Sequence, residues 1–493
     1  MRIHAGENTR IVVKRAGIAA ALTFGLGLAL AGCVSAPAPA SRTSVWSPPA
    51  AAQRTDQTWR DLRAARRPDL KQPLSLAALS DLALQNAPST RQAWAQARAA
   101  SAQVDQANGY FLPTLTATAG ITRRGIEAQP DSFDQGSMVY GPGLQLNYLV
   151  INFGGGRSAA VEQAMQTVYA ANFTFNGAIQ DVLLAVAMAY YDRVSAESEV
   201  TAAETSVNDA KQALDAAKAR NDAGLGTQLD VLQTQSSYDE ALFNLAGARG
   251  HLRTAQGSLV QSVGLPSDTP LAVVAPVADM PDALTQTNLT SLIESAIRQR
   301  PDIAALRATV AAREAAVRVA AAPLWPSLYL NGSLAQENYA ELGGTPGNQG
   351  LQDNDWAYSA GVSLQWTVFD GFQTRSAKRA ALAQAEAARA QLQSAELAVS
   401  AEVWKRHADY ETAVQRYSFA TSFESSGSAA YNLALNMYRS GLKTILDLLN
   451  AEQQLAQARS QRIAARQAVF TTLATLAHAV GVMEPGGRIE VGE

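Results

Sequence analysis

This sequence of 493 residues predicts a mainly α-helical chain with a small β part, built by duplicating one helix-strand-strand-helix-helix unit. Three observations predict it. Landmarks of the first half return in the same order about 213 to 218 residues later, far beyond the short periods of solenoid repeats. Aromatic residues make up only 7% and alanine is abundant, which suits long, closely packed helices better than a bulky globular core. Long stretches with spacings of three and four are interrupted, twice in each half, by short stretches that alternate apolar and polar.

The landmarks come in three sets. Leu76, Leu79, Ala83 and Pro88 recur as Leu289, Leu292, Ala296 and Pro301, and Pro113-Thr114-Leu115 recurs as Pro326-Ser327-Leu328. Gly143, Leu146, Tyr148, Val150 and Arg157 recur as Gly361, Leu364, Trp366, Val368 and Arg375. Gly224-Leu225-Gly226-Thr227-Gln228-Leu229-Asp230 returns as Gly441-Leu442-Lys443-Thr444-Ile445-Leu446-Asp447. One structural unit has been copied and fused.

Taken in order, residues 1–32 read as a secretory signal, with Arg2, Arg10, Lys14 and Arg15 ahead of an apolar run at 16–31 that is short for a membrane span. The run ends in Leu30-Ala31-Gly32-Cys33, which resembles a bacterial lipobox, so Cys33 is the expected lipidation site. It is also the only cysteine, and a lone thiol in an exported chain has no internal disulfide partner. Val34 follows it where an inner-membrane retention signal carries Asp, which favours outer-membrane sorting. Residues 33–74 form a lipidated tether, rich in Pro, Ala and Ser up to about residue 49. No second apolar run is long enough to span a bilayer.

The first repeat covers residues 75–270. A helix is expected over 76–111, stopped by Pro113. Alternation then marks one strand at 115–122 and a second around 144–148. Gly154-Gly155-Gly156 opens a very long helix with a heptad stripe of Val161, Met165, Val168, Asn172, Phe175, Ile179, Val182, Val186 and Ala189. It ends near residue 222, turns at Gly224, and a further helix runs over 228–263. After a linker at 271–288, the second repeat, 289–482, follows the same plan: helix 289–322, strand 328–334, a loop with Gly343, Gly344 and Pro346, strand 358–366, a long helix, a turn at Gly441 and a last helix to residue 480. A tail occupies 483–493. Each long helix, at about 65 residues, would reach on the order of 100 Å, and the two shorter helices of a repeat, stacked end to end, would match it.

Four strands with one apolar and one polar face suit a transmembrane barrel, but a spanning sheet must close and four strands cannot. The chain must therefore oligomerise. Two copies give eight strands with a filled interior, and three give twelve with an open lumen. The alternative, a soluble sandwich, leaves helices of this length unexplained.

With these residues in view, the chain resembles the outer-membrane efflux protein family, the TolC-like channels, and more closely its lipid-anchored multidrug-efflux branch. The specific elements are the doubled plan, the Pro113 and Pro326 breaks, and Tyr438-Arg439-Ser440-Gly441-Leu442 followed by Asp447-Leu448-Leu449-Asn450-Ala451. The double-tryptophan segment common in that branch is missing, with Trp59-Arg60-Asp61-Leu62 roughly in its place. The resemblance implies a homotrimer whose twelve-stranded outer-membrane β-barrel continues into an α-helical periplasmic barrel. It further implies a periplasmic adaptor and an inner-membrane pump as partners, outer-membrane lipid around the barrel, export of drugs or small molecules, and no cofactor.

Candidate site residues follow. Gly224 and Gly441 suit left-handed helix caps, and the resemblance makes Gly224, Leu225, Gly441 and Leu442 the tips that meet the adaptor. Thr227 and Asp230, like Thr444 and Asp447, are spaced as an N-cap and a third helical position. The resemblance adds a periplasmic gate at Asp230 and Asp447, with Asn450 standing where relatives place a gating Asp. Arg157 and Arg375 suit snorkelling anchors at the membrane interface, and Tyr148 and Trp366 an aromatic belt.

Other classes find little support. A net charge of -3 leaves no basic excess for nucleic acid. The four histidines, His4, His251, His407 and His478, have no metal-ligand spacing, and no nucleophile elbow is present, so an enzyme is not expected. The competing readings are a duct for protein secretion, from the same class, and a structural periplasmic coiled-coil lipoprotein, from another.

Overall fold

The computed structural model describes residues 73–126, 135–274, 288–342 and 355–483. They fall in one of the chain's two compact units, Pro68–Glu493. The signal, Cys33, nearly all of the tether, the loop with Gly343, Gly344 and Pro346, and the tail from residue 484 lie outside the described residues.

Each repeat contributes four helices and two strands: α1 (Leu76–Asn86), α2 (Pro88–Gly109), β1 (Thr114–Ile126), β2 (Gln135–Asn152), α3 (Gly156–Asp222) and α4 (Gln228–Ser262), then α5 (Leu289–Gln299), α6 (Pro301–Ala321), β3 (Ser327–Leu342), β4 (Asp355–Gln365), α7 (Gln373–Arg439) and α8 (Ile445–Val480). The two long helices are 67 residues each, about 100 Å at the α-helical rise. Against α3 lie α2 and α4 of its own repeat and α6 and α8 of the other, while α7 packs on α6 and α8.

The first helix of each repeat is two helices. Pro88 and Pro301 occupy N1 of α2 and α6, and the residues before them, Ala87 and Arg300, have ψ of 126° and 127°. Proline lacks the amide that would continue the ladder and drives its predecessor out of the helical region, so each landmark proline starts a new helix. These joints receive the other short helix end on. Gly264, after α4, has φ +81° and its missing Cβ would lie 3.0 Å from the Asn86 carbonyl carbon; Gly481, after α8, has φ +86° and abuts Arg300 at 3.2 Å. The short helices therefore stack as the length argument expects. Arg300 pins its joint by donating from Nη1 to the Ala479 carbonyl at 3.0 Å and pairing with Glu402 at 2.7 Å.

Matching hydrophobic clusters surround the joints, Leu79, Ala83, Val186, Tyr190, Leu259 and Val263 in the first repeat and Leu292, Ala296, Val403, Tyr410, Val469 and Leu476 in the second. Leu271, placed by sequence in the linker, is buried in the first of these, and Leu74 pairs with Val273. The heptad stripe of α3 is only half covered: Val182 and Val186 are buried, Val161, Val168, Phe175 and Ile179 half-buried, and Met165 and Asn172 exposed. The cause is that α3 is flanked mainly on two sides, so its first half keeps an apolar strip free. This helix also contains an 18-residue window apolar enough in composition to cross a membrane, against the expectation of no second such run, though it belongs to a helix more than twice that length.

Candidate functional site: the open sheet and the two helical turns

The strands are longer than their alternating cores suggested, 13, 18, 16 and 11 residues, against the 9–11 tilted residues that cross a bilayer. They form one antiparallel meander in the order β1-β2-β3-β4. The register sorts the side chains cleanly. Leu115, Ala117 and Ile121 pair with Leu146, Leu144 and Tyr140, and Leu144 with Leu334, which pairs with Tyr358; Tyr148 pairs with Leu330, and Leu330 with Val362. One face is thus apolar across all four strands. The opposite face carries Thr114, Thr116, Asn147, Gln145, Asn331, Ser333 and Ser359, and these bond among themselves: Thr114 Oγ1 donates to the Asn147 carbonyl (3.1 Å), Asn331 Nδ2 to Ser363 Oγ (3.0 Å), and the Ser333 and Ser359 hydroxyls lie 2.8 Å apart.

Nothing in the described chain covers the apolar face. Ile121, Val362 and Leu364 are 66%, 66% and 64% exposed, so a sandwich is excluded for these strands. The outer edges of β1 and β4 have no partner strand among the described residues. A sheet with an apolar face and two open edges is stable in hydrocarbon only when its edges are joined.

Where the sheet meets the helices the repeats use one device with different residues. Asn152 Oδ1 accepts from the Gly156 amide at 2.9 Å, and Asp370 Oδ2 from the Thr374 amide at 2.8 Å. A left-handed residue makes the bend, Gly155 at φ 66° in one and Gly371 with Phe372, at 65° and 67°, in the other. Gly154 is required for a further reason: a Cβ there would sit 2.4 Å from the Ala322 carbonyl oxygen. Arg157 braces the bend, donating to the carbonyls of Leu149 (2.5 Å), Val150 (2.8 Å) and Tyr110 (3.3 Å), with its guanidinium 4.6 Å from the Phe111 ring. Its copy Arg375 is exposed, 5.9 Å from Phe372. Tyr148 is half-buried on the apolar face, and Trp366 is exposed with Nε1 donating to the Leu324 carbonyl at 3.2 Å. Tyr110, Phe153, Trp325, Phe369 and Phe372 are exposed in the same zone and escaped the sequence reading. Their signal was proximity to Pro113, Pro326 and the two bends, rather than strand alternation.

At the far ends of the long helices the two turns are near copies. Gly224 and Gly441 are left-handed (φ 72° and 77°). Leu225 N donates to the Arg220 carbonyl (2.8 Å) and Leu442 N to the Met437 carbonyl (2.8 Å), while the glycine amides close the inner bonds to Asn221 and Tyr438. Both are Schellman caps. Each next helix opens with a full capping box, Thr227 with Asp230 and Thr444 with Asp447. Hydrogen bonding from the Thr444 hydroxyl, then from its amide and with Lys443 nearby, holds the Asp447 carboxyl below the usual carboxylate range. Leu225 and Leu442 project into solvent, 70% and 71% exposed, and Asn450 is exposed one turn past the box.

The residue that joins the turns was not singled out from sequence. Arg220 Nη1 donates to the Tyr438 carbonyl (2.8 Å), Nη2 to the Leu225 carbonyl (3.0 Å), and the guanidinium lies 5.0 Å from the Tyr438 ring. Above it, Ala213, Ala217, Tyr431, Leu435, Ile445, Leu448 and Leu455 form a third core. Tyr431 donates to the Asp209 carbonyl (2.8 Å), and Arg459 pairs with the Asp209 carboxylate (2.6 Å).

Two stretches of the chain, residues 79–265 and 292–482, match the sequence pattern described as outer membrane efflux protein. Among curated relatives, Protein CyaE of Bordetella pertussis is 28% identical over 79% of this chain and 80% of its own length. The pyoverdine export outer membrane protein OpmQ of Pseudomonas aeruginosa is 26% identical over 82% and 85%. Among solved structures, the outer-membrane channel OprN superposes with a TM-score of 0.71 at 22% identity, over 92% of this chain and 99% of that one.

Proposed function

The chain belongs to the outer membrane efflux protein family, and we propose that three copies close the four-stranded sheet into a twelve-stranded barrel that ends a tripartite efflux system. As an outer-membrane efflux duct it is passive, and its cargo is drugs or small molecules delivered by an inner-membrane pump through a periplasmic adaptor. Cys33 carries the lipid anchor. The apolar face of the sheet meets lipid, the Thr, Asn and Ser face lines the lumen, and Tyr148, Trp366, Arg157 and Arg375 mark the interface. Gly224, Leu225, Gly441 and Leu442 form the adaptor contact, and Asp230, Asp447 and Asn450 ring the periplasmic entrance.

One observation carries the reading: a continuous apolar sheet face with two free edges, continuous in chain with helices of about 100 Å. Twelve strands leave an open lumen where eight would be filled by side chains. The test is purification of the mature chain from the outer-membrane fraction. A heat-modifiable trimer that needs detergent and conducts ions in planar bilayers is the expected result. A monomer fully soluble without detergent overturns it.

A further inference from the structure

A trough of about 750 Å³ runs along α3 between the walls made by α4 and α8, beginning about one helical turn past the two capping boxes, and the duct reading gives it no role. Three carboxylates, Asp209, Glu240 and Glu452, line its lower part. The one guanidinium there, Arg459, is taken by Asp209 at 2.6 Å. Ser237 reaches across from α4 and donates to Glu452 Oε1 at 2.8 Å. The other oxygen, Oε2, has no partner, and Glu452 is only 9% exposed.

An ionised carboxylate with an unmet buried oxygen is destabilising unless a donor or cation arrives. Burial, with Asp209 and Glu240 adding to it against the Ser237 bond, pushes the Glu452 carboxyl above its usual range. Farther along, His251 Nδ1 lies 2.9 Å from Glu199, so that pair satisfies itself. The remaining wall mixes small and apolar residues, Ala202, Ala241, Leu449, Ala456 and Phe243, the last 78% exposed, with polar ones, Gln233, Asn244 and Gln453. Among the described residues no group of three or more His, Cys, Asp or Glu is arranged to hold a metal ion.

We infer that this trough binds an organic cation, a protonated amine at Glu452 between Asp209 and Glu240, with an apolar body lying along α3 toward Phe243. The volume fits a drug-sized molecule, and a few placed charged and polar groups beside apolar wall are how such sites fix orientation.

The test is calorimetric titration of the mature full-length protein in detergent with tryptamine and with tryptophol, the same ring and chain bearing a hydroxyl in place of the ammonium. Saturable tryptamine binding is expected, at least tenfold tighter than tryptophol. Glu452→Gln should weaken tryptamine at least tenfold, Glu240→Gln severalfold, and Glu386→Gln on α7, outside the trough, not at all. Equal binding of the two probes, or binding indifferent to both trough variants, overturns the inference. So does failure of wild type to bind while Glu452→Gln loosens the oligomer, since a neighbouring copy would then hold Oε2. A trimer that conducts but binds no tryptamine refutes this site alone; a monomer that binds it refutes the duct alone.

Discussion

At the α3–α4 turn the space where a Cβ on Gly224 would sit is open, whereas at the α7–α8 turn the same position on Gly441 lies 3.1 Å from Arg220 Nη1. The backbones of the two turns agree down to their cap hydrogen bonds, so duplication has preserved the part that any sequence with a left-handed glycine, a Thr and an Asp can build. What surrounds that backbone has diverged. Arg220 has Met437 as its counterpart in the second repeat, and Lys443 has Gly226 in the first. One turn gives an arginine and the other receives it, so the pair works as a fastened unit that neither copy could make alone.

The largest expected effect separates the two glycines. A valine in the left-handed region costs roughly 1–2 kcal/mol at either site. At Gly441 it also displaces the Arg220 guanidinium, whose charge-assisted bonds are worth about 1.5–3 kcal/mol in general and less at this partly exposed position. Gly441→Val should therefore loosen its turn by about 3 kcal/mol and Gly224→Val its own by about half of that, read as hydrogen-exchange protection at the end of α7 and start of α8 for the first and at the end of α3 and start of α4 for the second. Equal losses would show that Arg220 yields freely and that the asymmetry has no energetic content.

Arg220→Ala comes next, at about 1–2 kcal/mol. Because Arg220 holds Leu225 of its own turn and Tyr438 of the other, protection should fall in both turns together. Combined with Gly441→Val the losses should be clearly less than additive, since both variants break the same contact. Full additivity would mean that the two turns are independent.

This divergence also marks where the sequence stops being readable. The doubled plan, the long helices, the left-handed glycines and the capping boxes follow from local chemistry that spacing reveals. Pro88 and Pro301 were visible as landmarks, but their effect as helix starts depends on Gly264 and Gly481 meeting them, a contact spanning well over a hundred residues in each repeat. Arg220 reads as one more surface cation in an exposed helix end, because its partners are backbone carbonyls and carbonyls leave no mark in sequence. Glu452 looks like a helix-surface acid because its partner, the Ser237 hydroxyl, comes from another helix. The strands were underestimated because alternation weakens toward their ends, and the aromatic zone because it sits on bends rather than on periodic elements.

The smallest effect is electrostatic and concerns Asp447. Its carboxyl is held low first by the Thr444 hydroxyl, then by the Thr444 amide and by Lys443, 3.5 Å away. A group whose folded value is depressed contributes stability that is complete above its unfolded value and is lost as the pH falls through the folded one. Protection of the amides at the start of α8, corrected for intrinsic exchange, should therefore decline as the pH falls below about 4, the ordinary carboxylate range. Asp447→Asn should remove the decline, and added salt should shrink it slightly by screening Lys443. Superimposable wild-type and Asp447→Asn profiles would break the assignment. A carboxylate fastened to its own helix cap is poorly free to swing toward a threefold axis, so a flat profile, which releases it from the cap, would strengthen the case for Asp447 in the gate, and a steep one would move that role toward Asn450 and the exposed leucines.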